Sequence, residues 1–223
     1  MKNNQILSFA VVSSLLCLSL SSAAQANSFR FVKGEVIVLR GEQSLIAKPD
    51  MRLLQGDQVR SDGSGEALLK FDDGARLAVR VGSTVEFKEL RLQGPASLRQ
   101  QTIDIVKGSL RYISGKATVR RKVTFVTSTA TIGIRGTDIE ISVSEEPVQD
   151  NNPGTYLKVN TGAALLTAPD GAQVDVAPGE VAYGGETELT TRGFGGIKRA
   201  SARKLQSVGS ALFKASGLDA MMK

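Results

Sequence analysis

The sequence contains no histidine and no tryptophan, and its one cysteine is Cys17. Without histidine the chain lacks the commonest general base, the commonest proton switch near neutral pH and the commonest metal ligand. Without a thiol beyond Cys17 the rest of the chain has no disulfide, no thiolate ligand and no cysteine nucleophile. Carboxylates, lysine, arginine and tyrosine remain for catalysis, but most hydrolase mechanisms are removed, and neither a cofactor nor a metal site is expected. Aromatics are 5% of the residues, so a core has to be assembled from Val, Leu, Ile and Ala. The length suffices for one medium domain or two small ones.

Long apolar runs are scarce as well. Residues 6–20 form an apolar stretch preceded by Lys2 and followed by Ala24-Gln25-Ala26. A positive start, a short apolar run and a small-x-small site are the pattern of a cleavable signal peptide. The run is shorter than the ~20 residues that span a bilayer. The expectation is a periplasmic protein cut after Ala26, starting at Asn27, with no transmembrane segment in the mature chain. Leu16, which is not small, precedes Cys17, and this argues against lipid attachment there.

The net charge of +6 is unevenly spread. Residues 192–223 carry seven bases (Arg192, Lys198, Arg199, Arg203, Lys204, Lys214 and Lys223) against the single acid Asp219. Residues 27–191 carry 20 bases and 21 acids. The body is therefore near neutral and the tail basic.

What the chain does have is many short β-like runs. Residues 36–39, 58–60, 66–71, 76–81, 85–87, 102–106, 109–113, 122–127, 131–134, 138–143, 155–159, 163–167, 172–176 and 181–183 read as strands with glycines at their corners. Asp72-Asp73-Gly74-Ala75 is a hairpin signal, because an Asp-Gly pair reaches positive φ at little cost. Residues 102–108 and 155–162 echo each other, as do Asp73-Gly74-Ala75 and Asp170-Gly171-Ala172. The echo is too irregular for a strict repeat. It suits an all-β fold of β-solenoid or β-helix type, with a β-sandwich as the alternative. Residues 145–154, acidic and interrupted by Pro147 and Pro153, read as an exposed loop. Gly193-Phe194-Gly195-Gly196 reads as a hinge. Beyond it Ile197, Ser201, Leu205, Val208, Leu212 and Ala215 fall at helical spacing, which predicts an amphipathic C-terminal α-helix. The expected organisation is a signal peptide over 1–26, an all-β domain over 27–191, and a hinge with a basic helix over 192–223.

Several of these runs resemble the FecR domain family of exported bacterial proteins. Gly34-Glu35-Val36 and Leu54-Gln55-Gly56-Asp57-Gln58-Val59 resemble the family's opening strand and turn. Residues 64–69 and Phe71-Asp72-Asp73-Gly74-Ala75 resemble its next strand pair, and Lys107-Gly108-Ser109-Leu110 its glycine corner. The stretch from Thr127 through Thr131 to Gly133-Ile134-Arg135-Gly136-Thr137 resembles its best-defined signature. The resemblance covers residues 36–183 and implies a solenoid-like periplasmic domain. In well-known members that domain sits on a transmembrane helix behind a cytoplasmic segment that controls a sigma factor, and it receives a signal from an outer-membrane transporter. Here a cleavable signal stands where those segments would be, so what the resemblance carries over is the interaction domain.

Candidate sites follow from residue type. Arg135, between two glycines, offers a guanidinium to an anionic partner, or ties a strand corner to nearby carbonyls or a carboxylate; the second reading is the simpler. Thr127, Thr129 and Thr131 resemble a threonine ladder for ice or sugar, but strand propensity explains them. Asp72 and Asp73 with Asp57 or Asp62 suggest an acid cluster for calcium or glycan chemistry, yet turn formation explains the Asp pair and no spaced calcium loop is present. Arg111, Lys116, Arg120, Arg121 and Lys122 form a basic run for an anionic partner, or a solvated loop. Leu205, Val208 and Leu212 mark a helix face that docks on a partner or membrane, or caps the sheet. The resulting expectation is a non-enzymatic interaction module in an envelope sensing or signalling assembly, with a sensor or transporter-linked envelope protein as partner. The alternatives are a protein binding peptidoglycan, lipopolysaccharide or another polysaccharide, and a carbohydrate-active enzyme. Nucleic acid is not an expected partner of an exported protein without stacking aromatics.

Overall fold

The computed structural model describes residues 27–91, 94–95, 98–116, 121–188, 198–213 and 215–222. The expected signal peptide, the glycines of 193–196 and Arg120 lie outside the described residues. The strands are β1 (Ser28–Lys33), β2 (Val36–Arg40), β3 (Gln43–Ile46), β4 (Gln58–Ser61), β5 (Glu66–Lys70), β6 (Arg76–Val79), β7 (Thr84–Arg91), β8 (Gln100–Ile113), β9 (Lys122–Val126), β10 (Thr131–Ser144), β11 (Gly154–Thr167), β12 (Gln173–Val176), β13 (Val181–Glu188) and β14 (Lys198–Leu205). A short 3-10 segment, Gly217–Met222, follows. The fold is all-β, as the runs of alternating apolar residues require.

Three long strands organise it. β8, β10 and β11 each hold a glycine in the left-handed region near their middle: Gly108 at φ 89°, Gly136 at 59° and Gly162 at 83°. The core-facing positions change parity across each one; Glu140, Ser142 and Tyr156 are also buried, off that alternation. In β8 the core-facing positions are Gln101, Ile103 and Ile105, then Leu110 and Tyr112. In β10 they are Ile132, then Ile139, Ile141 and Val143. In β11 they are Leu157 and Val159, then Ala164 and Leu166. Strand side chains alternate with a period of two, so a parity change means an extra residue and a bend. Glycine supplies the backbone conformation that such a bend needs. At the last two bends the chains also touch, since a Cβ on Gly162 would collide with the Gly136 carbonyl oxygen.

Each bent strand therefore serves two halves of one sheet. The first half runs β1-β5-β6, the end of β8, the end of β10, the start of β11, β13 and β14. The second runs β3-β2-β4-β7, the start of β8, β9, the start of β10, the end of β11 and β12. The halves face each other across a common core. Tyr112 of the first half meets Phe125 of the second edge-on at 5.2 Å between ring centres, and Phe71 bridges Tyr112 and Phe87 at 6.4 Å to each. Each fully buried side chain of this size contributes about 1.5–3 kcal/mol by leaving water.

The solenoid expectation is not confirmed. A parallel β-helix pairs like-directed strands from coil to coil; here the pairing forms one open sheet, antiparallel everywhere among the described strands except between β8 and β9. The C-terminal helix is corrected outright. Residues 198–205 form β14, which pairs along β13 from Glu188↔Lys198 to Val181↔Leu205. An isolated helix interrupted by glycine nucleates poorly, whereas the open edge of β13 offers a row of amide and carbonyl partners. The predicted apolar grouping does form, without a helix: Leu205, Val208 and Leu212 pack with Phe213 on Tyr156 and Tyr183. The segment thus covers a sheet edge, by joining it.

Candidate interaction face

The outer face of the first half carries a set of linked ion pairs. One cross-strand row runs Phe31, Leu68, Ala78, Arg111, Glu140 and Lys158. Its apolar end is covered by the 3-10 segment, whose Leu218 and Met222 pack on Leu68 and Ala78. Its charged end is internally balanced. Arg80 donates to Glu140 at 2.7 Å and to Asp219 at 3.2 Å, with side-chain exposures of 5% for Arg80 and 9% for Glu140. Arg111 holds Asp138 through two bonds of 2.9 and 2.7 Å and reaches Asp219 at 3.2 Å. Lys158 and Asn160 also donate to Glu140. Burial opposes ionisation of Glu140, but Arg80, Lys158 and Asn160 outweigh it and hold the carboxyl below its ordinary range. Asp219 is likewise opposed by burial and lowered on balance by the Ser216 amide and the two guanidiniums. The hydrogen bond to Asp138 raises Arg111 further above its already high value. Ser216 completes the attachment by donating to Glu66 at 2.6 Å.

The adjoining end of this face is different. The β5–β6 hairpin places Lys70 directly opposite Arg76. Together with Arg30 and Lys116 these residues line an open groove of about 650 Å³, whose remaining walls are Leu68, Gly74, Ser114, Gly115 and Met221. That lining contains four bases and no acid. Gly115 lies so close to the Asp73 carbonyl that a Cβ would strike it, and the Lys116 amide donates to that same oxygen at 3.0 Å. The close approach brings the end of β8 onto the hairpin turn and sets Lys116 beside Lys70 and Arg76 at the groove. Chemically the groove is suited to binding anions.

The residues singled out from sequence are dispersed. Arg111 is engaged with Asp138 and Asp219. Arg121 is not solvated: its side chain is 1% exposed and pairs with Asp72 at 2.6 Å and Asp73 at 3.3 Å. Lys122 is exposed on β9, in the other half. Of the basic run only Lys116 reaches the groove; Arg120 lies outside the described residues. Both acids of the hairpin turn are thus paired with the one Arg121 guanidinium, and Asp73 also accepts the Ala75 amide at 2.9 Å.

The glycine–arginine signature is structural through its glycine. Gly136 makes the bend of β10, while Arg135 is exposed, and among the described residues its side chain forms no hydrogen bond or ion pair that would tie the corner. The threonines of the signature do anchor. Thr127 and Thr129 each bond the Thr155 hydroxyl, at 2.6 and 2.8 Å, and Thr129 donates to the Gly184 carbonyl at 2.9 Å. This stitches the corner before β10 to β11 and β13, so Thr127 and Thr129 do not form a solvated ladder. Thr131 is exposed, Gly133 is partly buried in β10 with a β-type backbone, and Thr137 is buried, with its amide donating to Ser114 at 3.0 Å.

Two pairings escaped the sequence reading, and the first places Asp57 with Arg40 rather than in an acid cluster. Asp57 of Leu54-Gln55-Gly56-Asp57 is fully buried, takes two bonds from Arg40 at 2.7 and 2.8 Å, and accepts the Leu54 amide. Its place directly after a glycine turn was the available signal. Lys70 and Arg76 flank the Asp72-Asp73-Gly74 turn, so a tight hairpin had to bring them together; the turn was noted and its consequence was not.

Residues 57–182 match the sequence model of the family described as FecR protein. No curated protein matches the chain closely. Among solved structures, similarity is found to two crystal structures, at 1.65 and 2.50 Å resolution, of a protein from Parabacteroides distasonis ATCC 8503 titled as an anti-sigma factor. They share 11% identity with this chain at TM-scores of 0.45 and 0.46, and cover 65% of it. The chain spans 59% of the length of those structures.

Proposed function

This chain belongs to the FecR protein family, and from that premise we propose that it is a non-enzymatic protein-interaction module of the periplasm, working in an envelope sensing or signalling assembly. The observation that carries this reading is the coincidence of the family match, residues 57–182, with the bent-strand body that displays the charged outer face. FecR proteins are a regulatory and signalling family. The residues that resemble the family's signature build a corner, so they serve the fold, and recognition falls to the surfaces the fold presents. The amino-terminal signal pattern supports export.

In-cell crosslinking followed by envelope fractionation tests the module. The expected product is an adduct with a membrane protein. Strong, salt-sensitive retention on purified sacculi or lipopolysaccharide, with no protein adduct, would replace this reading with wall binding. Location is tested separately by fusing residues 1–26 to a reporter active only outside the cytoplasm. An inactive fusion removes the periplasmic assignment.

A further inference from the structure

We infer that the outer face of β5, β6, β8 and β10 is where the module docks its partner, and that residues 216–222 fill it in cis as a stand-in for a partner segment with a carboxylate between two apolar side chains. The inference rests on the interaction-module reading and names the surface and the chemistry it uses. The seat has two parts. Leu68 and Ala78, on the outer side of the sheet, are covered by Leu218 and Met222, with Phe31 and Ile113 packed at the margin. The solvated face of an antiparallel sheet is ordinarily polar, so an apolar pair there marks a surface that something has to cover. Beside it, the ion-paired groups of the body are three bases, Arg80, Arg111 and Lys158, and two acids, Asp138 and Glu140. The third acid, Asp219, comes from the tail and reaches both guanidiniums at 3.2 Å. Whatever covers this face therefore brings aliphatic surface and a carboxylate.

The tail meets both needs, and it is fastened by side chains rather than by sheet pairing. It builds its own turn: the Ser216 amide donates to Asp219 at 2.8 Å, and the Leu218 amide donates to the Ser216 hydroxyl at 3.0 Å. A short segment that carries its own turn takes this shape without help from the rest of the chain, which lowers the ordering cost of binding. Among the described residues no strand lies between Leu205 and Gly217, and no backbone-to-backbone hydrogen bond joins residues 216–222 to the sheet. In contrast, β14 pairs along the whole length of β13. The charged contact is also incomplete. Of the Arg80 guanidinium only Nη2 is engaged, by Glu140 and Asp219; Nε and Nη1 are buried and have no hydrogen-bond partner among the described residues. Buried donors left unpaired are costly, and a carboxylate takes a guanidinium best through two parallel bonds. A partner segment that reaches a second nitrogen of Arg80 gains what the tail leaves unmade, and so displaces it.

The test uses the full chain and a labelled peptide of its own residues 215–223, read by fluorescence anisotropy. The parent chain, with its face covered, should bind weakly. Leu218→Ser with Met222→Ser in the chain removes the apolar hold of the tail, leaves the seat intact and should raise the affinity about tenfold or more. On that loosened chain, Asp219→Asn in the peptide, or Leu68→Ser in the seat, should each reverse the gain. Lys122→Glu, on the other half, should leave it unchanged. Circular dichroism confirms that each variant is folded, and the Asp219→Asn peptide tests the carboxylate with the protein unaltered. A cap serving only the fold would exchange in the same way, so in-cell crosslinking decides between them. The yield of membrane-protein adduct should rise about twofold or more when the tail is loosened, and should fall below the parent's when Leu68→Ser is added. The inference is overturned if the loosened chain binds the peptide no better than the parent, if the Asp219→Asn peptide binds equally, or if the adduct yield is unmoved. The two readings fail separately. An adduct unmoved by loosening the tail and by Leu68→Ser removes this face as the docking site and keeps the module. No adduct from any form removes the module, and this inference with it.

Discussion

The two ends of one sheet face solve opposite electrostatic problems. At the β8–β11 end, guanidiniums and carboxylates are buried together under the C-terminal segment and neutralise one another. At the β1–β6 end, bases are gathered around an open groove with no lining acid. Both ends are antiparallel parts of one sheet, and they differ in the side chains they present. Paired charges in a dry site hold parts of the chain together, because removing one partner strands the other. Bases at an open site are screened by solvent and hold parts of the chain together only weakly. One end is held by paired charges beneath the C-terminal segment, and the other presents bases at an open groove.

The strongest way to break this comparison is to remove a cohesive charge. Arg80→Ala leaves Glu140 and Asp219 without their shared partner in a largely buried setting. The expected cost is about 3–5 kcal/mol, read as a lower midpoint in urea unfolding with an unchanged slope. Lys116→Ala at the groove should change stability by no more than about 0.5 kcal/mol. Comparable losses at the two positions would show that both ends are structural.

Acid provides a second lever. Glu140 and Asp219 sit below their ordinary values of 4.5 and 3.8. A depressed carboxyl stabilises the folded state fully above its unfolded value, and that contribution is lost as pH falls through the folded value. Stability should therefore hold at neutral pH and decline below about pH 4. The groups facing these carboxyls are Arg80, Arg111, Lys158, Asn160 and the Ser216 amide. Hydrogen exchange should show residues 216–222 losing protection before the strands of the core do. Loss of the core first would mean that Asp219 does not hold the segment.

How much of this was legible depends on sequence distance. The hairpin at Asp72-Asp73-Gly74 is local, and it was readable. The bends at Gly108, Gly136 and Gly162 are also local, and the parity change of the apolar residues marks each of them. The ion pairs are not local. Asp219 meets Arg80 across 139 positions and Arg121 meets Asp72 across 49, so no window of sequence contains both partners. That is why Arg121 read as a solvated base. Residues 198–205 have a helical stripe in isolation and become a strand because the β13 edge is there to receive them. Arg135 misled by standing beside the glycine that does the bending. Gly136→Ala should cost about 1–2 kcal/mol, because a side chain strains at that φ. Arg135→Ala should stay within about 0.5 kcal/mol. Thermal unfolding of the two variants separates the roles, and a larger loss for Arg135→Ala would restore it as the anchor.

The smallest expected effect is the most discriminating. Lys70→Glu converts a like-charge pair opposite Arg76 into an opposite-charge pair. Cross-strand pairs of this kind are worth about 0.2–1 kcal/mol, and exposure keeps the value toward the low end. The substitution should therefore stabilise the fold slightly, by about 0.5 kcal/mol, or roughly 1–2 °C in Tm for a chain of this size. A rise in Tm would show that Lys70 and Arg76 oppose each other in the folded chain. If Lys70→Glu instead lowers Tm, Lys70 has a structural partner, and the groove belongs with the cohesive end of the face.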